Sequence, residues 1–233
     1  MTPLHVAIDA RQAQCVSLLL EAGADPKVRD RHGRTALEAA LKPPDLRDSK
    51  AVQDWRAIVV LLWKPSQEKP GGPAPWSLEY AAMHGQTGVM KMLLAQGADP
   101  NAIGSRGTTP LADAALKGDL DDVRLLLAHG ARINAESQAG TQPIHDAALG
   151  DNAEVIRELA MNGADINART RDDAQTPLYM AAAMGKAKAV DALVSLDADL
   201  KIKDSKGRTP LDAAEQAGLT DVAALLRRAA AAK

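Results

Sequence analysis

The chain has no phenylalanine, two tyrosines, three tryptophans and a single cysteine, Cys15, among 233 residues. One cysteine cannot close an intramolecular disulfide or build a cysteine-ligated zinc centre, so neither device organises this fold. With aromatics so scarce and alanine so abundant, a core must come from close packing of helices over small side chains. No apolar run approaches the roughly 18 residues of a membrane span. No charged head followed by an apolar stretch opens the chain as a secretory leader would. Charge of one sign is also lacking: 28 Lys plus Arg stand against 30 Asp plus Glu, a formal net charge of −2. A nucleic-acid binder usually carries a strongly basic face, and this balance argues against one. What remains, 46% apolar and 25% charged residues, is a globular composition with length enough for a buried core. A soluble protein is expected, cytoplasmic, or periplasmic or secreted if a leader had been removed.

Internal periodicity sets the architecture. Thr2-Pro3-Leu4-His5, Thr109-Pro110-Leu111, Gln142-Pro143-Ile144-His145, Thr176-Pro177-Leu178 and Thr209-Pro210-Leu211 are copies of one element, with degenerate copies at Thr35 and Trp76. Starts at 2, 35, 76, 109, 142, 176 and 209 are separated by 33, 41, 33, 33, 34 and 33 residues. Where the element reads Thr-Pro, Thr can cap the helix and Pro follows at the first helical position, where its missing N–H costs nothing. Leu111, Ala114 and Ala115 recur at helical spacing, and Gly118 supplies a left-handed stop. Asp119 caps a second helix carrying Val123, Leu126 and Leu127, which ends at Gly130. Asp121 and Asp122 suit that helix's positive first turn. One such unit cannot bury its apolar face alone, so the copies must stack.

This pattern, with Gly97-Ala98-Asp99-Pro100-Asn101-Ala102 and Gly163-Ala164-Asp165-Ile166-Asn167-Ala168 in the connecting fingers, resembles the ankyrin repeat. The resemblance covers nearly the whole chain and implies an all-α solenoid with short β-hairpin loops, a single domain over 1–233 in seven units. The second unit departs from the pattern. Aligning Ile58-Val59-Val60-Leu61-Leu62 with Val16-Ser17-Leu18-Leu19-Leu20 places its extra residues between the two helices, about 43–54. Pro65 stands where a left-handed Gly belongs and opens a Pro-rich loop over 64–75. Trp55, Trp63 and Trp76 all lie in or beside this irregular stretch. They either refill a disturbed core or anchor a partner, Trp55 and Trp76 being the candidates. The chain opens where a repeat helix opens, which fits a mature boundary or a missing upstream cap. It closes on Arg227-Arg228 and an Ala tail, as a solenoid cap would.

Chemistry is sparse. His5 and His145 take the fourth position of the repeat element, where the family uses imidazole to tie backbone together. His32, His84 and His129 have no second ligand at metal spacing. There is no G-x-S-x-G elbow and no phosphate-cradling loop. Cys15 falls in the apolar stripe of its helix and reads as a small buried hydrophobe. No catalytic residue, cofactor or metal is expected. Lys27, Arg29, Arg31 and Arg34, and again Lys201, Lys203, Lys206 and Arg208, make two basic fingers. They are solvated tips or contacts for an acidic partner.

The resemblance implies a non-catalytic module that binds another protein through its concave face and finger tips, monomeric on its own. Narrower alternatives are an inhibitor or immunity-type protein sequestering a toxin or effector, and a regulatory fragment of a larger enzyme. The Ala-rich, Phe-free composition suggests a bacterial source. In the family's geometry the exposed inner positions follow the Ala pair: Met83 and His84, Leu116 and Lys117, Leu149 and Gly150, Ala183 and Met184. Met83, Leu116 and Leu149 align, with Met184 one residue along, as an apolar stripe flanked by Arg106, Lys117 and Asp172. The stripe either covers its own helix ends or marks the docking surface.

Overall fold

The computed structural model describes residues 2–40, 49–62, 77–95, 97–104 and 106–231. The Pro-rich loop 64–75, Pro65, Trp63 and Trp76 lie outside the described residues, as do 43–48 of the expected insertion. The chain divides into two compact units, Met1–Pro70 and Gly71–Lys233.

In the first unit, α1 (Pro3–Asp9), α2 (Ala13–Glu21), α3 (Ala36–Ala40) and α4 (Ser49–Leu62) form two antiparallel pairs, with α1 on α3 and α2 on α4. Thr2 caps α1 through its hydroxyl, and Thr35 and Glu38 cap α3 reciprocally. Residues 49–54 are not a loop, contrary to the expected placement of the insertion. They extend the N-terminal end of α4 to 14 residues, where α2 has nine.

The second unit repeats the same hairpin. First helices α5 (Leu78–Met83), α7 (Pro110–Lys117), α9 (Pro143–Leu149), α11 (Pro177–Ala183) and α13 (Pro210–Gln216) pack side by side in one layer. Second helices α6 (Thr87–Ala95), α8 (Leu120–Ala128), α10 (Ala153–Met161), α12 (Ala187–Ser195) and α14 (Thr220–Ala231) form the other. Alanine pairs such as Ala114-Ala115, Ala147-Ala148 and Ala181-Ala182 are fully buried, which lets the first helices approach closely. Leu111, Val123, Leu126, Ile144, Ile156, Leu159, Leu178 and Leu193 fill the space between layers. Gly118, at φ 83°, ends α7 in the left-handed conformation that its position in the repeat demands.

The finger loops are turns, and no strand occurs among the described residues, so the hairpin of the expected architecture reduces to single bonds across each loop. Asp30 N donates to Arg34 O, Gly104 N to Thr108 O, Ser137 N to Thr141 O and Asp204 N to Arg208 O. Histidine ties the loops to the helices as expected. His145 Nδ1 accepts from the Gln142 amide, which leaves Nε2–H to donate to Ala168 O and Gln175 O, both at 3.2 Å. His5 does the same between Thr2 and Arg34 O. Burial holds the His145 pKa down and keeps the ring neutral, as this pattern requires.

Candidate functional site

The C-terminal ends of the first helices carry the expected row. Met83 ends α5, Leu116 lies one residue before the end of α7, Leu149 ends α9, and Met184 follows α11. Leu116 is 41% exposed and Met184 63%, whereas Met83 and Leu149 are half-buried. The row has a physical cause. Each first helix turns its Ala pair inward against its neighbour, so the residue following that pair emerges at the edge of the layer. Leu149, Met180, Ala183 and Met184 line an open groove of about 370 Å³, together with Ala213 and Gln216 of α13. Other exposed apolar side chains, such as Met161 on α10, stand singly and need no explanation.

The flanking residues are held in specific ways. Lys117 reaches back to the turn after α5, where a Cβ on Gly85 would fall 2.2 Å from its Nζ. His84 is exposed and stacks on Tyr80 with ring centroids 3.8 Å apart. Arg106 projects from its finger loop and pairs with Asp113 of α7. Asp172 lies exposed in the finger between Thr170 and Gln175. Gly150 packs on the end of α7, and Asn152 Nδ2 donates to Ala115 O and Leu116 O, both at 2.9 Å, which fixes the Leu116 backbone.

Trp55 takes the first of its two expected readings, whereas Cys15 departs from the burial expected of it. Trp55 is 4% exposed, and its indole N–H donates to Ala40 O at 2.8 Å. It is a core residue of the first unit and does not belong to a surface. Cys15 is exposed, because Val16 takes the buried line of α2 and the preceding residue is turned roughly 100° away from it. The basic fingers are also less available than their composition suggests. Arg34 is held by Asp30 and Arg208 by Asp204 at 2.8 and 2.7 Å, and Arg29 pairs with Glu38. Burial opposes ionisation of Asp30 and Asp204, but hydrogen bonds from the arginines and loop amides outweigh it and hold both well below the usual carboxylate range.

The feature missed in the sequence is a set of carboxylates beneath the row. Asp113 on α7 and Asp146 on α9 hold the same place in successive repeats, three residues before Leu116 and Leu149. Asp113 is buried and bonded by Arg106 and by Thr108 Oγ1 at 3.0 Å. Asp146 is 9% exposed; the Thr141 hydroxyl lies beside its carboxylate and favours the charged form, while its Oδ2 is enclosed without a hydrogen-bond partner. Burial, and next the charge of Asp113, push the Asp146 pKa up to about 7. Glu79 of α5, buried in the same neighbourhood, fills the space beside Gly104, and the Arg106 amide donates to its Oε1 at 3.4 Å. An alignment of the repeats contains the signal: acids at the fifth position where other units have Val6, Ala39, Tyr80, Met180 and Ala213, and Glu79 where others have His5 and His145. Among the described residues, no three His, Cys, Asp or Glu converge as metal ligands.

Comparison with known proteins agrees with this architecture. A family profile described as ankyrin repeats (3 copies) matches residues 78–170 and 144–233, and one described as ankyrin repeats (many copies) matches 1–40. The chain belongs to the ankyrin-repeat family. It is 34% identical over 101 residues to NF-kappa-B inhibitor alpha of Sus scrofa, covering 43% of this chain and 32% of that protein. It is 33% identical over 111 residues to ankyrin repeat and SOCS box protein 16 of Mus musculus, covering 48% and 24%. The chain thus spans about a third or less of these relatives. Both are vertebrate proteins, and nothing in the comparisons supports the compositional suggestion of a bacterial source. No helix among the described residues is long and apolar enough to cross a membrane.

Proposed function

We propose that the chain is a non-catalytic protein-binding module whose partner docks on the exposed edge of the first-helix layer, along Met83, Leu116, Leu149 and Met184. The observation that carries this reading is the alignment of apolar side chains on successive packed helices, Leu116 and Met184 exposed and Met83 and Leu149 half-buried, running into the groove beside Leu149 and Met180. Contiguous apolar surface of this kind marks interaction sites more often than it caps helices. Flexible methionines suit a surface that moulds to a partner. His84, Arg106, Lys117 and Asp172 supply a polar rim. Family membership supports a binding role in general without naming a partner. A narrower form, sequestration of one effector, draws on the name of the relative NF-kappa-B inhibitor alpha.

The test is to identify a partner by affinity capture with mass spectrometry, purify it, and measure its Kd for the wild type and for Leu116→Asp/Leu149→Asp. Loss of binding with the melting temperature within a few degrees of wild type is the expected result. Unchanged affinity in a folded double variant would move the site to the finger tips.

A further inference from the structure

We propose that Asp113 and Asp146 form a receptor for one basic side chain, lysine or arginine, of the docking partner, set in the floor of the apolar row between Leu116 and Leu149. The inference rests on the docking surface proposed above and adds the chemistry of what it accepts.

The argument starts from geometry. α7 and α9 are packed neighbours, and each acid lies three residues before the row leucine of its own helix, exposed Leu116 or half-buried Leu149, close to one turn and therefore on the same side. Asp113 already has Thr108 and Arg106 as partners. Asp146 has the Thr141 hydroxyl beside it but no cation bonded to it, and its Oδ2 is enclosed yet unmatched. A buried polar atom without a partner is costly, and native structures rarely retain one without cause. The charged groups acting here are Glu79 from α5, Asp113 from α7 and Arg106 from its loop. On the α11 side, the Tyr179 phenol is engaged by Asp204 and Arg208, and Met180 is apolar at the position matching Asp146. Asp113 and Asp146 therefore share one guanidinium, and the shortfall between them is a single positive charge.

Burial and the neighbouring Asp113 hold Asp146 protonated near neutrality, which makes the free protein tolerable. An entering ammonium or guanidinium would displace that proton to solvent and form a charge-assisted hydrogen bond to Oδ2. Lysine and arginine have long apolar stems, which would lie along Leu116 and Leu149 while the head reaches the acids. A metal ion is a poorer occupant, because no three metal-type ligands converge among the described residues.

The probe is a displayed library of random peptides selected on the full chain, with the best binder then synthesised and titrated by fluorescence anisotropy. Selected peptides should carry one Arg or Lys among apolar residues. Asp146→Asn, and Asp113→Asn/Asp146→Asn, should weaken the binder at least tenfold. Replacing the peptide's basic residue with norleucine should cost as much, and the norleucine peptide should no longer distinguish Asp146→Asn from wild type. That peptide-side substitution keeps the test valid even if an Asn variant folds poorly. A library that yields no binder, binders without basic residues, or equal Kd for wild type and a folded Asp146→Asn would overturn the proposal. Binders lost on Leu116→Asp/Leu149→Asp but kept on the Asn variants would overturn the receptor and leave the docking surface standing. Binders indifferent to both sets would overturn the two together.

Discussion

The exchange between Glu79 and Gly104 gives the sharpest test of how these repeats are held. In the fingers at Asp30 and Asp204, the loop's own carboxylate accepts the amides two and four residues on, at 2.8 and 3.0 Å for His32 and Arg34, and at 2.9 and 2.8 Å for Lys206 and Arg208. The finger that starts at Gly104 has no such side chain, and Glu79 of the preceding first helix supplies the carboxylate from outside. A Cβ on Gly104 would lie 1.7 Å from the Glu79 carboxyl carbon, so the two groups compete for one place. Glu79, only 3% exposed, cannot easily withdraw into solvent.

Glu79→Ala should cost about 1–2 kcal/mol, since it removes an acceptor from a loop that water can partly resupply. Gly104→Asp should cost about 1–3 kcal/mol through overpacking and a second carboxylate in the same site. The double variant returns the loop to the Asp30 arrangement. Gly104 is not held at positive φ, so an aspartate fits its backbone. It should lie within about 1 kcal/mol of wild type, a coupling of roughly 2 kcal/mol or more. Urea unfolding of the four proteins, compared at constant m-value, measures this. Additive single effects would show that Glu79 does not substitute for the missing aspartate.

Asp146 predicts an unusual pH dependence. Its folded pKa of about 7 exceeds the ordinary 3.8, so the folded state holds the proton more tightly, and the cost of ionisation is absent at low pH, grows as pH rises, and is complete above about 7. Asp146→Asn should therefore stabilise by on the order of 2–4 kcal/mol at about pH 8 and by nothing below about pH 4, and equal effects at both would sink the assignment. Leu126, fully buried in α8, should cost roughly 2–5 kcal/mol on truncation to Ala, and a loss under about 1 kcal/mol in urea would place the second helix in a different register. Ala174 takes the left-handed place at φ 54° that Gly140 and Gly207 take in neighbouring fingers. Ala174→Gly should raise stability by about 0.5–1 kcal/mol in thermal melts, and a loss would show that the wider Thr170–Gln175 loop prefers its methyl group.

The helix pairs, their caps and the buried alanine pairs were legible in the sequence because each depends on local chemistry: Thr before Pro, Gly after a helix, Leu and Ala at helical spacing. Leu116 and Met184 were found as exposed for the same reason, since position after the Ala pair fixes direction. What was not legible depends on partners far apart in the chain. Nothing local to Gly104 reveals that Glu79 completes its loop. Trp55 lies in an irregular stretch, and only the position of the Ala40 carbonyl shows that its indole is a core group. The extension of α4 was misplaced because a longer second helix and an inserted loop give the same repeat spacing.

The acids of the first-helix layer differ from the acids of the fingers in a way that bears on function. Asp30 and Asp204 accept several hydrogen bonds each and are held ionised, so the fold explains them completely. Asp113 and Asp146 are raised by burial, and the second leaves an oxygen unmatched. Their position in the repeat does not demand a carboxylate, because Val6, Ala39, Tyr80, Met180 and Ala213 occupy it elsewhere. An apolar residue there would remove the penalty that ionisation of Asp146 imposes above neutral pH. Two consecutive repeats instead place carboxylates under Leu116 and Leu149, at a cost to stability and beside the surface proposed for docking. Groups retained against stability are the ones whose value lies in binding. The stabilisation expected of Asp146→Asn and the loss of peptide affinity expected of the same substitution are therefore two readings of one arrangement, and both must hold.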